Sequence, residues 1–184
     1  MIKQVQTTRF LVLCLLVVVA AATRALPLLL PNIWNFTAVG ALAIFAGSQF
    51  NNKSMAFIVP LAAMALSDVF IGNGFNLAVY TGFVAMVACG VFIRNKVNPS
   101  NIAMASIAGA VVFFLITNFA FLYSWYPRNA QGIIESYIMG LPFLRNMLIA
   151  DVIYGVLLFG GFYFLEKRFP SLASIQIRDT ATNN

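Results

Sequence analysis

The chain has no histidine, and only 9% of its 184 residues are charged. Without imidazole there is no Ser-His-Asp triad, no Cys-His dyad and no histidine-bearing zinc site. Cysteine is scarce too. Cys14 and Cys89 both lie inside apolar runs, as small buried hydrophobes do, and give no disulfide framework. Five acids are too few for an obvious proton relay. No Gly-rich phosphate loop ending in Lys-Ser or Lys-Thr occurs, so the chain cannot hydrolyse ATP alone. No apolar run carries a row of arginines, which argues against a voltage sensor. No half-to-half repeat supports an inverted-repeat carrier. No catalytic dyad, metal cluster or cofactor motif can be read, so the expectation is a non-enzyme without cofactor or metal.

What the chain does have is apolar residues, 61% of the total, against about 45–50% in a soluble domain. A soluble fold of this length would be left with a sticky surface; a bilayer solvates such faces. The expected fold is therefore all-α and integral to the membrane, a single bundle of about six transmembrane helices. A spanning helix needs about 20 mostly apolar residues, and candidates fall at 10–26, 34–50, 54–71, 77–93, 102–123 and 142–165. Pro27 and Pro31 are expected to stop the first. Asn51-Asn52-Lys53, Gly72-Asn73-Gly74 and the stretch 95–101 separate the next ones. Residues 127–141 read as the longest internal loop, amphipathic in part over 130–139. The domain reading is a transmembrane domain over 1–169 and a polar cytoplasmic tail over 170–184. Lys3 and Arg9, an apolar core and Ala20-Ala21-Ala22 could pass for a signal peptide. Apolar residues resume over 25–30, so the segment reads as a retained first span.

Net charge is +6, but the bases are scattered through short gaps rather than gathered in a patch, so nucleic-acid binding is not expected. Cytoplasmic loops carry the excess of Lys and Arg. With the N-terminus inside, the cytoplasmic segments hold Lys3, Arg9, Lys53, Arg94, Lys96, Lys167, Arg168 and Arg178. The outer side holds Arg24, Arg128 and Arg145. Both termini are then cytoplasmic, in a bacterial inner membrane, and Trp34, Trp125, Tyr126 and Tyr137 fall at the outer interface.

Ionisable groups inside spans are the functional suspects, because lipid makes them costly. Asp68 falls near the outer end of the third span. Asp151 lies partway down the sixth, sharing a face with Tyr154, with Arg145 above it. Asn76, Tyr80, Asn118, Tyr123 and Asn146 can hydrogen-bond around them. The functional reading is an outward-facing polar pocket capped by 127–141, with Asp68, Asn76, Tyr80, Asn118, Arg145 and Asp151 as substrate-binding residues. The alternative is that these groups pair across helices and pin the bundle; Arg24, Arg128 and Glu135 read more simply as solvated interfacial charges. Small residues at four-residue spacing (Ala43 and Gly47, Ala105 and Gly109, Ala21 and Ala25) allow close helix approach in lipid. They serve either packing within the bundle or a seam for a second membrane protein.

Residues 24–27, Pro31-Asn32 and 35–43 resemble a bacterial family of six-helix membrane proteins ascribed to transport. So do Val59-Pro60-Leu61, Leu66-Ser67-Asp68, Thr117-Asn118-Phe119, Tyr126-Pro127-Arg128, 141–146, 151–154 and 158–160. By size, span number and topology that family is similar to the S (substrate-binding) components of energy-coupling-factor vitamin transporters. The resemblance implies a membrane-embedded subunit that binds a vitamin or similar micronutrient near the outer face. Its partners would be the lipid bilayer, the micronutrient and a membrane coupling subunit with ATPases, unless it acts alone. Cobalamin is one candidate substrate. Relatives are expected to carry histidine after Gly-Phe in the third-to-fourth loop, whereas Gly74-Phe75 is followed here by Asn76, which counts against an imidazole-to-cobalt contact. The competing expectation is a non-catalytic assembly subunit of a larger membrane complex. An intramembrane enzyme would have only Asp68, Glu135 and Asp151 as acid or base.

Overall fold

A computed structural model describes residues 2–29, 35–169 and 172, with side chains from residue 7 onward. Every element among them is helical. Helix α1 (Ile2–Ala22) runs on through a 3-10 turn at Thr23–Ala25 and a short helix at Leu26–Leu29. Helices α2 (Val39–Gln49), α3 (Lys53–Ile71), α4 (Leu77–Ile93) and α5 (Pro99–Thr117) follow. After a 3-10 turn at Ala120–Leu122 comes α6 (Ala130–Gly155), which passes through a π-helical turn at Val156–Gly160 into α7 (Gly161–Arg168).

Asparagine starts four of these helices. A side-chain oxygen just ahead of a helix satisfies backbone N–H groups that have no partner within it. Asn52 accepts from Ser54 and Met55, Asn76 from Ala78 and Val79, Asn98 from Asn101, and Asn129 from Gly132. Pro99 follows Asn98 at the first helical position, where the missing N–H costs nothing. Gly72 closes α3 with φ 78°, and its N–H bonds to the Asp68 carbonyl; that left-handed backbone is what glycine accepts without strain.

Helix α2 is the centre of the bundle. All nine residues from 40 to 48 are buried, as expected of a helix that is hydrophobic all round. Backbone meets backbone where it crosses α4: a Cβ on Gly47 would overlap the Val87 carbonyl, and one on Gly90 the Ile44 carbonyl. Gly109 of α5 lies against Ile44 and Met86. The small-residue pairs at 43/47 and 105/109 thus pack inside the bundle. The outer faces stay apolar, with Leu15, Val69, Phe70, Phe92, Ile107, Leu115, Val152 and Val156 all exposed.

Among the described residues four stretches are long and apolar enough to cross a membrane: Thr7–Leu29, Lys53–Ile71, Pro99–Thr117 and Ala130–Arg168. Helices α2 and α4 are apolar but shorter. At 1.5 Å per residue α4 spans about 26 Å and α2 about 16 Å. The span expected at 34–50 is therefore a short inner helix beginning at Val39. It needs no full length because its neighbours shield it from the surroundings. Trp34 and Pro31 lie outside the described residues, as do Arg178 and nearly all of the tail.

Other boundaries differ for local reasons. Pro27 does not stop the first span; it sits in the opening turn of Leu26–Leu29, where its N–H is not needed. The fifth span ends at Thr117 rather than Tyr123, because Asn118 turns its own amide onto the Phe114 carbonyl at 3.0 Å and Phe119 is extended. The segment 127–141 is no loop: from Ala130 onward it is the first part of α6, which continues through Pro142. Proline deletes one helical hydrogen bond. The segment is held instead by the Asn129 cap and by α5, where Tyr137 donates to the Leu115 carbonyl at 2.9 Å.

Tertiary polar contacts gather at the two ends of the bundle. At one end Arg9 reaches Gln49 and Glu166, and Arg94 donates to the Phe50 carbonyl. At the other, Arg24 reaches Asp68, and the Ala38 N–H donates to Thr23 Oγ1 at 2.8 Å. Lys53, Lys96, Lys167 and Arg168 lie at helix termini of the first end, which is the basic one.

Candidate functional site

Burying a charge in an apolar bundle is costly unless it is paired or hydrogen-bonded. Asp68 lies one turn before the end of α3, and Arg24 lies in the 3-10 turn after α1. Arg24 Nη2 stands 2.6 Å from Asp68 Oδ1, with side chains only 13% and 9% exposed. Its Nη1 donates to the Met64 carbonyl at 3.1 Å and to Ser67 Oγ at 2.5 Å. Tyr80, in the first turn of α4, donates its hydroxyl to Asp68 Oδ2 at 2.7 Å. Both carboxylate oxygens are thereby engaged, and three segments of the chain are tied at one point.

This knot forms one wall of a pocket of about 250 Å³ lined by Arg24, Asp68, Asn73, Gly74, Asn76, Val79 and Tyr80. The Gly72-Asn73-Gly74 turn supplies an exposed rim. Asn76 uses its Oδ1 to cap α4, and its Nδ2 has no hydrogen bond among the described residues. The site thus offers a guanidinium, a carboxylate, a phenol and two amides with no net charge. It can grip a small polar molecule carrying both donors and acceptors.

Of the six residues expected to bind substrate, the structure brings Asp68, Asn76 and Tyr80 together. The other three lie elsewhere. Asn118 caps the end of α5, and a Cβ on Gly140 of α6 would overlap its Oδ1. Arg145 is exposed on α6, within 3.5 Å of the Asn146 side chain. Asp151 is 3% exposed and accepts the Ala41 N–H at 2.8 Å, capping α2 from another helix. A Cβ on Gly40 would overlap that carboxylate, so glycine is what admits it. Asp151 Oδ2 has no hydrogen-bond partner among the described residues.

Arg24 was expected as a solvated interfacial charge and is instead a largely shielded member of the site, its side chain 13% exposed. The signal available in sequence was its sign: one base and one acid, Arg24 and Asp68, at the same end of two apolar runs. No residue of 127–141 lines this pocket; from Ala130 that stretch belongs to α6. Beside α6, burial and then the neighbouring Tyr126 hold the Tyr123 phenol above its ordinary pKa. It stays neutral and donates to the Thr117 carbonyl at 2.6 Å. No group of three or more metal-ligating side chains occurs among the described residues.

The chain belongs to DUF6580, a family of unknown function, whose model matches residues 4–172. No curated protein and no solved structure matches it.

Proposed function

We propose that this member of DUF6580 is a membrane-embedded binding subunit for uptake of a small polar micronutrient, taken up at the Arg24–Asp68–Tyr80 pocket. In this reading the bundle crosses the bacterial inner membrane six times. Both termini are cytoplasmic, the basic end faces the cytoplasm and the pocket faces outward. The excess of Lys and Arg at one end supports that orientation. Helices α2 and α4 count as spans because the longer helices around them shield what they do not reach.

One observation carries the function. A nearly buried, charge-balanced ion pair lines an open pocket at the end of an otherwise apolar bundle. A pair needed only for packing could be closed over by apolar side chains at little cost; this one meets a cavity and leaves neighbouring polar groups for a ligand. Drug-sized ligands occupy sites of about 300–1,000 Å³, so a volume of about 250 Å³ suits a molecule smaller than those. A corrinoid is far larger, and cobalamin gives way to a small zwitterion or a neutral polar compound. Two of the three small-residue pairs that would have supported an assembly subunit, 43/47 and 105/109, pack inside the bundle, so the binding reading is preferred. The coupling subunit and ATPases remain partners of the proposal.

The test is purification from the native host in mild detergent, with mass spectrometry of any small molecule released on denaturation. A polar compound at near-equal stoichiometry is the expected result. A preparation without one, and without response to a panel of small polar metabolites in a thermal-shift screen, would refute the reading.

A further inference from the structure

A second cavity, larger than the first, lies at the opposite, basic end. It measures about 1,730 Å³ and opens between α1, the α2–α3 and α4–α5 turns, and α7. Its walls are of two kinds. Phe10, Leu13, Phe159 and Tyr163 make an apolar side, and Arg9, Lys53 and Arg94 make a basic one, with Glu166 the only acid. Arg9 is 5% exposed; it pairs with Glu166 at 2.5 Å, donates to the Leu172 carbonyl and stacks 4.9 Å from the centre of the Phe162 ring. Among the described residues its Nε–H has no hydrogen-bond partner. With Arg9, Lys53 and Arg94 against the single Glu166, the lining carries two more bases than acids.

Lys53 points the same way. It is the first residue of α3, where the helix dipole disfavours a cation. It is exposed, and neither of the two ion pairs among the described residues includes it. Lys167 adds a further base at the rim, its ammonium 4.7 Å from the centre of the Tyr163 ring. Phe92 and Tyr163 line the cavity and are also among the exposed apolar side chains of the outer surface.

We infer that this groove holds one anionic phospholipid, its phosphate between Arg9 and Lys53 and an acyl chain along Phe10, Leu13 and Phe159. The charge balance of the walls selects an anion, and the apolar side selects a lipid over a free phosphate. Basic pockets between helices are suited to such head groups. The inference does not rest on the micronutrient pocket, which lies at the other end.

The test uses the full chain, stripped of lipid in detergent, with thermal unfolding followed as mixed micelles are added. Phosphatidylglycerol is expected to raise Tm saturably; phosphatidylcholine with the same acyl chains and inorganic phosphate are not. Lys53→Ala should leave lipid-free Tm unchanged or higher while weakening the half-saturating phosphatidylglycerol concentration about fivefold, the worth of one base near a head group. Arg9→Gln should weaken it at least as much if it folds, and Lys53→Ala decides the matter if it does not. Equal responses to the two lipids, or no change in Lys53→Ala, would overturn the inference. A full response to inorganic phosphate would overturn the lipid and leave a phosphate site.

Discussion

At the scale of single residues, polar groups in this bundle act through partners distant in sequence. Removing one member of a buried ion pair leaves the other uncompensated, a loss on the order of 3 kcal/mol. Arg24→Ala strands the Asp68 carboxylate, so this variant should unfold at lower denaturant than wild type and lose ligand. Denaturant melts of purified protein check the first part. Gly40→Ala places a methyl against the Asp151 carboxylate. It should cost about 1–3 kcal/mol, as overpacking does, and be relieved in part by a second change, Asp151→Ser. Additive losses in that double-mutant cycle would contradict the contact. Sequence flagged Asp68 and Asp151 as misplaced in lipid but could not say with what they pair. Arg24 lies in a 3-10 turn, and Ala41 offers only a backbone N–H, which leaves no mark in composition.

At the scale of elements, the breaks between spans were the most legible. The fourth helix was expected at 77–93 and is found there, because Asn76 opens it and the charged stretch after Ile93 closes it. The third was displaced by one residue for the same reason. The largest misjudged boundary involves a residue that usually breaks helices. Pro142 read as a start, yet α6 begins twelve residues earlier, under an asparagine cap and against α5. Asn129→Ala should therefore cost about 1 kcal/mol and loosen 130–141 selectively. Hydrogen exchange is the readout: faster exchange in that segment is expected, with α3 and α4 unchanged. Uniform protection would mean that the cap does not hold it.

At the scale of the whole molecule, composition alone separated this chain from soluble folds, and the exposed Leu, Val, Ile and Phe of the outer faces agree. Composition could not reveal that α2 is an inner helix wrapped by others, since a fully buried segment and a lipid-facing one are equally apolar. With Cys14 and Cys89 changed to alanine, cysteines placed at Asn73 and Lys96 should react with an impermeant thiol reagent from opposite sides of the membrane. Asn73 is expected to be labelled in intact cells and Lys96 only after permeabilisation. Labelling of both from outside would reverse or remove the six-span topology.

The central claim is that the pocket beside Asp68 binds. The most direct measurement is the affinity of the compound released from native protein for wild type and for Tyr80→Phe, with Tm recorded for both. Tyr80→Phe removes one hydroxyl from the Asp68 carboxylate and keeps the ring. The predicted result is affinity about tenfold weaker, the worth of one hydrogen bond between the phenol and the ligand, with the lost bond to Asp68 read separately as a lower Tm. Equal affinity in the two proteins would contradict the account and move the binding site elsewhere in the bundle.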